Sequence, residues 1–178
     1  MKLNLLNFLI TLEIAKTDTI IGIGSRIANN KFVGFFDLDN MAQEKAERII
    51  SILQKKHGLS DFLLFQSSEK NFHAVCLELK PLIDWVKIES FVNFQHAGLS
   101  LFKGEHVLRI SSKFKNFIRF VKIVPSSNIK DLSKPHVDFF INQFKIPLSV
   151  ENKKLIDGEI NYHFYQQKQY IVYRNHDN

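Results

Sequence analysis

Val33-Gly34-Phe35-Phe36-Asp37-Leu38-Asp39-Asn40 is the stretch whose reading decides the fold. A β-prone apolar run begins at Phe32, ends in two acids spaced two apart, and leads directly into a helical pattern. An apolar run of that length beside turn residues reads as a buried strand. Asn40 is then the expected N-cap of a helix, with Gln43 at the capping-box position. Ala42, Ala46, Ile49, Ile50 and Leu53 follow helical spacing on one face, Glu44 and Arg48 pair at i,i+4 on the other, and Gly58 is the expected stop.

Working outward toward the C-terminus, residues 61–66 and 72–78 are predicted strands around the turn Ser67-Ser68-Glu69-Lys70-Asn71. Pro81 opens a second helix, with Leu82, Trp85, Val86 and Phe91 or Val92 inward. A loop is expected around Gly98, then strands at 107–111 and 117–124. Toward the N-terminus, residues 19–27 and 32–38 flank a hairpin turn at 28–31, and residues 3–15 read as a helix or a buried strand. Beyond the break at Pro125-Ser126-Ser127-Asn128, residues 133–144 form a predicted third helix with Pro135 in its first turn, and 160–165 with 169–174 a closing hairpin. From 32 to 111 the order is strand, helix, strand, strand, helix, strand. This is the β-α-β-β-α-β pattern of ferredoxin-like and RNA-recognition-motif-like cores, in the α/β (α+β) class. The expectation is one domain over 1–178, with its core at about 19–124, an N-terminal hairpin, and a C-terminal extension of helix plus hairpin over 125–178.

Composition narrows the function classes. Apolar residues make up 45% of the 178, with seventeen Phe, enough for a substantial core. A single Cys excludes an internal disulfide framework and fits a reducing compartment. No apolar stretch reaches the roughly 18 residues of a membrane span. Residues 1–15 lack a small-residue cleavage site and are interrupted by Glu13, so the expectation is an intracellular, cytoplasmic protein without a membrane partner. The net charge of +6 is uneven. Residues 1–100 carry 11 basic and 11 acidic side chains, residues 101–178 carry 13 and 7, so the whole excess lies in the second part. It is densest over 103–122, where six basic residues face Glu105 alone. Such asymmetry suits a polyanion or simply a solvated surface.

Three groups of residues can carry chemistry. Asp37 and Asp39 leave one face of a strand, with α-carbons about 6.6 Å apart at a rise of about 3.3 Å per residue. Carboxylates so placed suit Mg²⁺ or Mn²⁺, which take oxygen ligands; the bland reading is a strand end that caps the next helix. His73 opens the return strand of the predicted hairpin, where it can donate to a phosphate oxygen or serve structurally. In a ferredoxin-like sheet that strand neighbours the first, so His73 shares a face with the Asp pair where the register permits. In Val107-Leu108-Arg109-Ile110-Ser111-Ser112-Lys113, Arg109 and Ser111 alternate with Leu108 and Ile110. The Arg109 guanidinium suits phosphate, and Lys113 and Lys115 extend the basic segment.

These motifs, in this order, resemble the archaeo-eukaryotic primase superfamily, the primase-polymerases of archaea, eukaryotes, plasmids and viruses. Phe35-Phe36-Asp37-Leu38-Asp39 is similar to its first motif, Asn71-Phe72-His73 after Ser67-Ser68 to its second, and Leu108-Arg109-Ile110-Ser111-Ser112-Lys113 to its downstream Arg segment. The resemblance covers roughly residues 20–124. It implies a metal-dependent nucleotidyltransferase of a mobile element or virus, with Mg²⁺ or Mn²⁺ on Asp37 and Asp39. His73 would hold an incoming nucleoside triphosphate. Arg109, Ser111, Lys113 and Lys115 would hold phosphates of nucleotide or of a DNA or RNA template, with a separate helicase as a possible partner. The family's third motif, an apolar residue then Asp, has no counterpart. Residues 91–102 contain no acid; Asp84, Glu89 and Glu105 flank them without the expected context, and Glu105 or Asp131 are replacements by position only. The alternatives are a non-catalytic nucleic-acid-binding domain on the same fold and a protein-interaction module. Rolling-circle initiators are excluded for want of a second His beside His73. Glycosyltransferases, which also use Asp-x-Asp, are excluded because too little chain precedes Asp37.

Overall fold

The computed structural model describes residues 2–5, 8–11, 15–27, 30–110 and 118–170. Ser111, Lys113 and Lys115, together with the far end of the expected C-terminal hairpin, lie outside them. In chain order the elements are β1 (Lys2–Leu5), β2 (Phe8–Thr11), β3 (Ala15–Gly24), β4 (Phe32–Leu38), α1 (Gln43–His57), β5 (Phe62–Ser68), β6 (Asn71–Lys80) and α2 (Leu82–Ser90). There follow α3 (Phe94–Lys103), β7 (Val107–Arg109), β8 (Arg119–Val124), β9 (Leu132–Ser133), α4 (Lys134–Phe144), β10 (Leu155–Ile156) and β11 (Tyr162–Tyr170). The fold is α+β. None of the described helices is long and apolar enough to cross a membrane.

β6 is the spine. It pairs antiparallel with β4 on one edge and β5 on the other, and β8 pairs antiparallel with β5. β4 alternates between two cores. Phe36 and Leu38 pack with Ala46, Ile50 and Leu53 of α1 and Trp85 and Ile88 of α2. Val33 and Phe35 pack on the opposite face with Phe65, Val75, Ile23 of β3, Leu108 of β7 and Val137 and Phe140 of α4. The continuous apolar run of β4 is therefore that of a strand covered on both sides. Each such side chain contributes about 1.5–3 kcal/mol when fully buried. Gly34 makes the tightest packing possible: a Cβ there would meet the Trp85 ring at 2.7 Å. Trp85 Nε1 donates to the Phe32 carbonyl at 2.7 Å, so the indole is fixed against the strand backbone.

Several local expectations change. α1 starts at Gln43, with Ala42 as N-cap and no side-chain cap. Asn40 has φ 55° and its N–H donates to Asn71 Oδ1, so it closes a turn against β6. Gly58 does stop α1, in the left-handed conformation. The expected loop around Gly98 is helix α3, capped by Asn93, whose side chain accepts from the His96 N–H. A mid-helix Gly costs about 1 kcal/mol relative to Ala, and this cap with the packing of Ala97 and Ser100 offsets it. Lys2–Leu5 and Phe8–Thr11 form two short antiparallel strands. Residues 19–27 and 32–38 share backbone pairing only at the Arg26–Phe32 bridge and its neighbours, because β3 pairs instead with β11 and β7.

The strand order beside β4 differs most from a ferredoxin-like sheet. A fourth strand would lie against its free edge, but β7 is hydrogen-bonded to β3. That edge is covered by other groups. The Val33 N–H donates to the Ser25 carbonyl, His106 Nδ1 donates to the Phe35 carbonyl at 3.0 Å, and Asn93 Nδ2 reaches the Asp37 carbonyl at 3.5 Å. Buried backbone groups need partners from somewhere, and here one backbone carbonyl and two side chains supply them.

Candidate active site

Asp37 and His73 are direct cross-strand partners in the β4–β6 ladder. Cross-strand partners project from the same face, so both side chains lie on the face shared with α4 and β7. Asp37 Oδ1 is 3.5 Å from His73 Nδ1. Asp39 follows two residues later, exposed just past the end of β4, where its charge acts on the Asp37 carboxyl. Burial, then the Asp39 charge, pushes the Asp37 carboxyl from 3.8 up to about 6. Burial, then the Arg109 and His96 charges, pushes the His73 imidazole down to about 3. His73 is thus neutral at physiological pH, and its contact with Asp37 is not an ion pair. Its Nε2 is buried without a hydrogen-bond partner among the described residues. A buried polar atom without a partner costs about 1–3 kcal/mol. Arg109, half-buried on β7, is near enough that Asp37 favours its charged form against the effect of burial.

Beneath Asp37 lies a group that sequence reasoning did not assemble. Glu89, fully buried at the end of α2, contacts His96 Nδ1 through Oε1, and its Oε2 is 3.4 Å from His106 Nε2. The Asp37 backbone N–H faces the Glu89 carboxylate and favours its charged form. The His96 and His106 rings meet edge to face with centroids 5.8 Å apart. Burial raises the pKa of Glu89 and lowers that of His106 to about 4. Burial also pulls His96 down, but its hydrogen bond to Glu89 and the Glu89 charge outweigh it, so His96 is raised. Because His106 Nδ1 donates to the Phe35 carbonyl, its Nε2 turns a lone pair toward Glu89 Oε2, and the contact is favourable only with a proton between them. One signal in the sequence pointed here: Glu89 lies four residues after Trp85, on the inward stripe of α2, where an acid needs partners.

The structure thus brings Asp37, Asp39, His73 and Arg109 together and adds Glu89, His96 and His106. Glu105 instead pairs with His163 at 3.0 Å, and Asp131 lies near Lys154 on the surface at 3.9 Å, so neither joins the Asp pair. Among the described residues, no three His, Cys, Asp or Glu side chains are placed to hold a metal ion together. Mg²⁺ needs fewer protein ligands than that, since it is commonly held by one or two carboxylates plus substrate phosphates. The adjacent, mutually repelling carboxyls of Asp37 and Asp39 fit that mode. Compared with protein-family models, curated proteins and solved structures, the chain matches none.

Proposed function

We propose that this chain is a primase-polymerase-like nucleotidyltransferase domain, acting on nucleoside triphosphates against a DNA or RNA template with Mg²⁺ or Mn²⁺. The observation that carries this reading is the meeting of Asp37 and His73, the latter with an unpartnered buried nitrogen, on one face of the β4–β6 pair, with Asp39 just past the strand end and Arg109 of the separate β3–β7 pair near enough to act on Asp37. Asp37 and Asp39 would hold the ion, which would supply charge neutralisation at the transferring phosphoryl group. The remaining roles belong to the chain. A phosphate oxygen beside His73 Nε2 would give that nitrogen a partner and favour the protonated ring, which donates from Nε2 to the phosphate and from Nδ1 to Asp37. The Arg109 guanidinium, partly withdrawn from water, contributes charge where phosphate oxygens would lie.

The arrangement of Glu89 favours a second reading, a nucleotide- and nucleic-acid-binding domain with little chemistry. Its Oε1 is taken up by His96 and its buried Oε2 faces His106 Nε2 at 3.4 Å without a hydrogen bond among the described residues, which leaves two carboxylates for metal where a two-ion site has more anchors. The test is primer extension and Mn²⁺-dependent nucleotide binding, compared between the wild type and Asp37→Asn. Weak or absent extension with Asp37-dependent nucleotide binding fits the proposal in its attenuated form. Absence of both Mn²⁺ and nucleotide binding would refute it.

A further inference from the structure

We propose that the outer face of α3 is a homodimer interface, on which two copies of this chain pack antiparallel about Gly98 with each Phe94 against the partner's Phe102. This inference stands apart from the nucleotidyltransferase reading and does not depend on it.

α3 turns small and polar residues inward and large apolar ones outward. Ala97 and Ser100 are its buried positions, and His96 is held by Glu89. Phe102 is 91% exposed, Phe94 78%, and Leu99 and Leu101 are each more than half exposed. Four of the nine exposed large apolar side chains among the described residues thus fall on this one helix. Between Asn93 and Lys103 its outward side carries no charge, and Gln95 is its polar member. At roughly 200 Å² for a fully exposed Phe, the four side chains present about 500 Å² of apolar surface. Burying that surface on two copies removes about 1,000 Å², the size at which a specific interface begins.

The spacing of this face says what covers it. Phe94, Gly98 and Phe102 are four residues apart. At about 100° and about 1.5 Å per residue, the two rings sit about 40° to either side of Gly98 and about 6 Å above and below it. A two-fold axis through Gly98, perpendicular to the helix, therefore exchanges the two Phe positions, and exchanges Gln95 with Leu101 in the same way. That is the self-complementary pattern of an isologous interface, and it needs no charge. Gly98 is a second observation. A Cβ there would meet nothing within 4 Å, so nothing among its neighbours in the chain calls for glycine in mid-helix, where it costs stability relative to Ala. At the crossing point of two helices, a missing side chain lets the backbones approach and the flanking rings interlock. The charge of +6 on each chain opposes association, and about 0.15 M salt screens it beyond roughly 8 Å.

Sedimentation equilibrium in about 0.15 M salt should show a monomer–dimer equilibrium with Kd on the order of 10 µM. Phe102→Glu, at a position too exposed to matter to the monomer fold, should weaken it by about tenfold or more. Gly98→Ala should weaken dimerisation several-fold while raising the Tm of the dilute monomer, since Ala favours the helix. An equal mixture of Phe94→Cys and Phe102→Cys, oxidised with diamide, should give a disulfide-linked dimer that neither variant forms alone. Cys76 does not compete, because it is buried and its thiol is pushed up to about 12. A wild type that stays monomeric up to about 0.5 mM overturns the proposal and assigns the face to a different protein or to another segment of the chain. A dimer that persists in both Phe102→Glu and Gly98→Ala uses another face and overturns it as well. Crosslinking of either Cys variant alone, as efficient as in the mixture, overturns the antiparallel packing.

Discussion

Replacing Asp37 with Asn should stabilise the metal-free protein at neutral and higher pH. The native carboxyl titrates near 6, against 3.8 ordinarily. Between those values the native state binds more protons than the unfolded state, so stability falls as pH rises through the window and the full penalty is present above about pH 6. A shift of about two pH units corresponds to about 3 kcal/mol at 1.36 kcal/mol per unit. The side chain is 27% exposed, and solvent screening brings the expected figure to about 2 kcal/mol. Asn is close to the neutral acid in shape and cannot ionise, so it removes that penalty. At about 2–4 °C per kcal/mol for a chain of this size, Tm should rise by about 4–8 °C at pH 8. At pH 3.5 the wild-type carboxyl is largely protonated in both states and the gain should nearly vanish. Calorimetric melts of both proteins across pH 3.5–8, without metal, measure this directly. Saturating Mn²⁺ at pH 8 should stabilise the wild type and not the variant. A variant that melts at or below the wild type at pH 8, or a difference independent of pH, would show that Asp37 is not the strained acid described here.

Gly34→Ala should destabilise by roughly 1–3 kcal/mol, because the added methyl meets the Trp85 ring and the indole is pinned by its bond to Phe32; urea titration followed by Trp fluorescence measures it. Asn93→Ala removes the α3 cap and should cost about 1 kcal/mol in the same experiment. If residues 103–122 contact nucleic acid, single-strand binding should weaken linearly in log salt, with a slope of about −0.7 per phosphate contact. Replacing Lys113 and Lys115 with Ala should reduce the size of that slope by about one to two, read by fluorescence anisotropy. Binding that ignores salt, or none at low salt, would favour a protein-interaction module.

The sequence by itself determined the parts that depend on nearby residues. The apolar run of β4, the helical stripe of α1 closed by Gly58, the β5–β6 hairpin and Pro81 at the head of α2 all follow from periodicity and turn chemistry over a few residues. The side of β4 that carries Asp37 follows from strand alternation, and the adjacency of β4 to β6 from the element order. Only the tertiary structure decided which residue stands opposite Asp37. Register is a property of two strands far apart in the chain, and a slip of one residue would have turned His73 to the other face. The start of α1 was misplaced because Asn40 found a partner in Asn71, thirty-one residues away, where a local cap was expected. The partner of β7 could not be read either, since the β4 edge it was expected to fill is satisfied by the Ser25 carbonyl and by the side chains of His106 and Asn93. Glu89, His96 and His106 were each visible as single residues, separated by seven and ten positions. Their meeting under Asp37 depends on how α2, α3 and the approach to β7 pack, and burial away from water is what makes that meeting matter to the charge on Asp37.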